Sequence, residues 1–69
     1  MKTEREEQVN EELRAAREKS GKTQAQVAKE AGIAVIAYQR YEYGTHEPGV
    51  RTAIRIADAL NSDVKALFR

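Results

Sequence analysis

Apolar residues along this 69-residue chain recur every three or four positions, and no segment alternates apolar with polar at period two. That periodicity predicts helices and no strand. Val9, Leu13 and Ala16 share one face of a first helix, which the T-x-x-E form of Thr3 to Glu6 can start and Gly21 can end. A second helix opens with the T-x-x-Q capping box of Thr23 to Gln26 and turns Val27, Ala28 and Ala31 inward. Small residues on that face let a neighbouring helix approach closely. Gly32 supplies a positive φ for a tight turn, and Ile33 can plug the angle that follows. A third helix runs from about Ala34 to Tyr43 and stops at Gly44. After the loop Thr45-His46-Glu47 and Pro48, Gly49 can cap a fourth helix, although less well than Ser. Its expected inner face is Val50, Ile54, Ala57 and Leu60, with Ala53 and Ile56 beside it. Asn61 suits a left-handed end to that helix. Asp63 then caps a short last helix whose Val64, Leu67 and Phe68 point inward.

The expected fold is therefore an all-α, compact five-helix bundle forming a single domain over residues 1–69. Residues 1–8 are charged enough to fray at the end. Residues 23–44 form two short helices joined by a glycine turn, the spacing of a helix-turn-helix.

The third helix has two dissimilar sides. At about 100° per residue, Ala34, Ala37, Tyr38 and Tyr41 fall together and suit packing. Val35, Ile36, Gln39, Arg40 and Tyr43 fall on the other side. An outward Val35 and Ile36 imply a partner that covers them. A DNA major groove accounts for the whole set: Arg bonds guanine, Gln bonds adenine, and apolar groups pack on thymine methyls. The competing account is a protein partner or an oligomer interface on the same apolar helix.

Charge sharpens this picture only when its distribution is considered. The net is +1, yet residues 1–12 carry five acids against two bases, and residues 19–55 carry six bases against three acids. The basic excess surrounds the helix-turn-helix. The Glu-rich first helix should face away from DNA.

Other chemistry finds little support. Ser20-Gly21-Lys22-Thr23 lacks the upstream glycine and strand of a phosphate-binding loop. His46 is the single histidine, there is no cysteine, and no carboxylate pair stands at ligand spacing, so neither a metal nor another cofactor is expected. No nucleophile and base are recognisable, so no catalytic residue is named and an enzyme is not expected. No apolar run approaches the roughly 20 residues that span a bilayer, and no secretory h-region is present. A cytoplasmic location is expected.

The spaced set Leu13-Arg14, Arg17, Gly21, Thr23-Gln24, Val27-Ala28, Gly32-Ile33, Tyr41-Glu42, Gly44, Pro48, Thr52, Ile56-Ala57, Leu60 and Leu67 resembles the lambdoid phage repressor and Cro family. These are the Xre-type helix-turn-helix domains of bacteria and phages. The likeness covers about residues 9–68. It implies that the second and third helices form the DNA-binding unit, and that Gln24 bonds a phosphate or a base-contacting side chain. It also implies a largely buried salt bridge between Arg17 and Glu42. The sequence departs from the family at Ala34, where a Ser or Thr usually caps the third helix. It departs again at Lys22, a position commonly apolar.

These readings converge on a sequence-specific DNA-binding transcriptional regulator of phage or mobile-element type, most simply a repressor. Val35, Ile36, Gln39 and Arg40 are expected to read bases in double-stranded DNA. Lys22, Gln24, Tyr43, Thr45 and Arg51 are expected to hold the backbone. One such domain reads few base pairs, so a homodimer on an inverted repeat is expected, with Pro48, Leu67 and Phe68 as its contacts. The alternatives are a protein-interaction module or an antitoxin-type regulator.

Overall fold

The computed structural model describes residues 9–68. Five helices follow one another: α1 (Glu11–Ser20), α2 (Gln24–Ala31), α3 (Val35–Tyr43), α4 (Val50–Ala59) and α5 (Val64–Leu67). No strand occurs among the described residues.

Local chemistry sets most of the boundaries. Thr23 and Gln26 make the reciprocal capping box: the Gln26 amide donates to Thr23 Oγ1 at 3.1 Å, and the Thr23 amide donates to Gln26 Oε1 at 2.7 Å. Asp63 accepts from the Ala66 amide at 2.9 Å and starts α5. Gly32 takes φ +73°, which a residue with a Cβ adopts only under strain. The turn it makes lets the Ile33 amide donate to the Ala28 carbonyl at 2.9 Å. Gly21, Gly44 and Asn61 also lie in the left-handed region.

Two expectations about α1 change. The capping box at Thr3 and Glu6 lies outside the described residues. Val9 precedes α1 and is not on its helical face; Asn10 is the cap, accepting from the Leu13 amide at 3.0 Å. Asn10 also donates its side-chain Nδ2 to the Leu67 carbonyl at 2.7 Å and its own amide to the Glu42 carbonyl at 3.0 Å.

The core contains Leu13, Val27, Ala28, Ala31, Tyr38, Ile56, Ala57, Leu60 and Leu67. α2 packs closely on both α3 and α4, while α5 closes over α1 and α4. Alanines on α2 (Ala28, Ala31) and α4 (Ala53, Ala57) are buried, and their small size lets backbones approach. Here the expected inner face of α4 needs correction. Ala53, Ile56, Ala57 and Leu60 are buried, whereas Val50 is 78% exposed and Ile54 is 47% exposed. Ile54 is rotated out of the buried arc by the helical period. Val50 has the right angle but lies in the first turn, beyond the packed body.

Candidate nucleic-acid interface

The two sides of α3 follow from its pitch. Tyr38 and Glu42 are buried and Tyr41 and Ala37 are half-buried, while Val35, Ile36, Arg40 and Tyr43 are exposed. Gln39 sits at the edge, half-buried. The outer arc thus presents Val35 (42% exposed) and Ile36 (56% exposed) next to Arg40. Ala34, expected on the packed side, is exposed because it is the cap residue and stands off the end of the helix. It supplies no side-chain cap.

Beneath this arc lies a charged network. Arg17 Nε donates to Glu42 Oε2 at 2.9 Å, and Arg17 Nη2 donates to Glu42 Oε1 at 3.0 Å. This fork-to-fork pairing adds geometric definition to charge. Arg17 Nη1 reaches the Lys22 carbonyl at 2.9 Å. The Glu42 side chain is almost wholly buried. Burial alone would push its carboxyl up, but the hydrogen bonds and charge of Arg17 hold it below the usual glutamate value. The hydrogen bonds Arg17 donates to Glu42 in turn raise its own pKa. Tyr38 lies alongside with its hydroxyl buried and without a hydrogen-bond partner. Burial first, and then the Glu42 carboxylate, push its phenol well above the ordinary tyrosine value.

The network continues outward. Gln24 Nε2 donates to Glu42 Oε1 at 3.2 Å, and Gln39 Nε2 donates to Gln24 Oε1 at 3.2 Å. A chain of polar contacts therefore runs from the half-buried Arg17 to the rim of the exposed arc. This brings Gln24 and Gln39 together across the helix-turn-helix.

The other backbone candidates divide. Tyr43, Thr45 and Arg51 are exposed at the end of α3 and the start of α4. Thr45 Oγ1 donates to the Arg40 carbonyl at 3.3 Å and helps close α3. Lys22 is engaged within the fold. Its ammonium donates to Glu30 Oε1 at 2.7 Å and to the Ala59 carbonyl at 2.6 Å, so its charge is spent within the fold at the end of α4. A cation at a helix C-terminus is favoured by the helix dipole.

Of the three expected dimer contacts, Leu67 is also corrected. It is buried in the core and offers no surface. Phe68 is half-buried against the same core, and Pro48 is half-buried. Glu47, His46, Leu67 and Phe68 border one shallow cleft, together with Tyr41 and Asn10. The sequence pattern missed the Val50 and Ile54 surface, and also Asn10. Only their surroundings in three dimensions reveal them.

No group of side chains suited to a metal ion occurs among the described residues. No helix there is long and apolar enough to cross a membrane.

A family model described as helix-turn-helix matches residues 13–67. The chain is 39% identical over 59 residues to the cryptic phage CTXphi transcriptional repressor RstR of Vibrio cholerae serotype O1, a match covering 86% of this chain and 53% of that protein. The chain thus spans about half the length of the curated relative it matches.

Proposed function

This chain belongs to the Xre-type helix-turn-helix family, and from that premise we propose that it is a transcriptional repressor that reads an operator through α3. The observation that carries this is the exposed arc of Val35, Ile36 and Arg40, mounted on a rigid turn and bordered by the tethered Gln39. Arg40 bonds guanine in the major groove, and Gln39 contributes a second polar contact at the rim. Gln24, Tyr43, Thr45 and Arg51 hold the sugar-phosphate backbone. Lys22 is left out of this set because its charge is already engaged.

A single short helix reads too few base pairs for a unique site. The protein therefore acts as a homodimer on an inverted repeat, with half-sites about 34 Å apart. The second copy is placed on α4. Val50 and Ile54 form an exposed apolar stripe there, one turn apart on the helix. Such a stripe is complementary to itself, as a two-fold interface requires.

Selection of bound duplexes from a random library at about 150 mM salt tests the reading. Enrichment of a palindrome supports it. Failure to enrich or retain any duplex, even at low salt, overturns it in favour of a protein partner on the same helix. Two variants then separate reading from holding. Arg40→Ala flattens the preference among sequences and costs about 1–3 kcal/mol on the selected site. Arg51→Ala weakens all duplexes alike and lowers the salt slope by roughly one. Identical effects from the two variants would remove Arg40 as the reader.

A further inference from the structure

Val35 and Ile36 stand at 42% and 56% exposure in the first turn of α3, with Arg40 one turn further along. Neither side chain can give or take a hydrogen bond. Ile36 and Arg40 are four residues apart, which sets their Cβ atoms about 5–6 Å from one another on one surface. Successive bases on a strand are about 3.4 Å apart, so a guanine bonded by Arg40 leaves the neighbouring pyrimidine within reach of Ile36.

A pyrimidine shows two features to the major groove. One is the hydrogen-bonding group on C4, an acceptor in thymine and a donor in cytosine; the other is the substituent at C5. An aliphatic side chain senses only the second. We infer that the ligand of Val35 and Ile36 is the C5-methyl group itself, so that 5-methylcytosine is accepted where thymine is, and unmethylated cytosine is disfavoured. The reading head then takes a C5-methylated pyrimidine beside guanine, and occupancy of such a site responds to cytosine methylation of the DNA. Of the polar neighbours, Arg40 is occupied by the guanine, and one amide N–H of Gln39 is engaged by Gln24 at 3.2 Å.

This inference rests on α3 being the base-reading helix, and the test keeps the two failures apart. The full chain is titrated with the operator selected as above and with duplexes altered at single pyrimidines. Deoxyuridine in place of thymine deletes one methyl and nothing else. Losing a buried methyl of this size weakens binding about fourfold. At the same positions, a 5-methylcytosine·guanine pair binds about fourfold tighter than a cytosine·guanine pair. Both differences shrink towards one in Ile36→Ala or Val35→Ala, whose melting confirms that exposed positions were changed without unfolding. Equal binding of thymine and uracil at every position, equal binding of methylated and plain cytosine, or differences that persist unchanged in both variants would overturn the inference. Because the decisive change is made in the DNA, it does not depend on any variant folding. An operator that enriches but ignores methyl groups sinks this inference alone; a library that yields no operator sinks the reading beneath it.

Discussion

Glu42 joins the stability of the domain to the proposed base-reading side of α3. Its carboxylate is buried, paired with Arg17, and bonded to Gln24. Glu42→Ala leaves the Arg17 charge without its counter-ion and should cost about 3–5 kcal/mol. In a domain of this size that lowers the thermal midpoint by at least roughly 12 °C, which calorimetry or circular dichroism will register. The pH dependence has two sides. Glu42 is held below its ordinary value of 4.5 when folded, so its contribution is complete above that pH and fades as the medium becomes more acidic. Tyr38 is raised above its ordinary value of 10.0, so folding is unaffected by it below pH 10 and loses about 1.4 kcal/mol per unit above. Tyr38→Phe removes a buried hydroxyl that has no hydrogen-bond partner. It should change stability by no more than about 1 kcal/mol at pH 7, and its denaturation midpoint should fall less steeply above pH 10 than that of the parent.

The helices differ in how much of them could be read from sequence. The boundaries of α2 were legible because Thr23, Gln26 and Gly32 act on their immediate neighbours, within four residues. The same holds for Asp63 at α5 and for Gly44 at the end of α3. Asn10 was not legible, since a T-x-x-E at residues 3–6 offered an equally good start and the partner of the Asn10 side chain is 57 residues away. The side of α4 that is buried was misread for a related reason. Val50–Ile54–Ala57 and Ala53–Ile56–Ala57–Leu60 both fit a helical stripe, and only the approach of α2 decides between them. Lys22 looked like a free cation because its acceptors, Glu30 and the Ala59 carbonyl, belong to other elements. At α3 the sequence shows a missing cap, and the Ala34 side chain indeed caps no amide there. Ala34→Ser should therefore stabilise the fold by about 1 kcal/mol, visible as a shift of roughly 4–8 °C in the melting midpoint. An unchanged midpoint would mean that the serine does not reach the N-terminal amides of α3.

For the molecule as a whole, the outward surfaces carry different burdens. One holds Val35, Ile36 and Arg40; another holds Val50 and Ile54. On the proposed reading, separate surfaces let one copy grip DNA while touching a second. Ile54→Glu, at a position 47% exposed, should leave the melting of the monomer nearly unchanged. It should also abolish the two-copy complex on the selected palindrome and leave binding to a single half-site. Band-shift stoichiometry distinguishes these species, and a variant that still loads two copies cooperatively would exclude α4 as the contact.

Asn10 ties these scales together. Its amide is bonded to the Glu42 carbonyl and its side chain to the Leu67 carbonyl, so one residue clasps the third helix and the last. The clasp closes a loop of 57 residues, whose entropic cost is roughly 3–4 kcal/mol. Contacts near in sequence, such as those within the α2–α3 unit, meet no such barrier and form ahead of it. In kinetic terms the helix-turn-helix should zip first and the ends fasten last, an order that mutational folding kinetics would test. Fraying runs the other way: when α5 lifts, the side chain of Asn10 loses its acceptor, and the loosening passes through the same residue to the strand of contacts behind Glu42. Breathing at the extremities should thereby be felt beneath the exposed arc of α3, which hydrogen exchange would register.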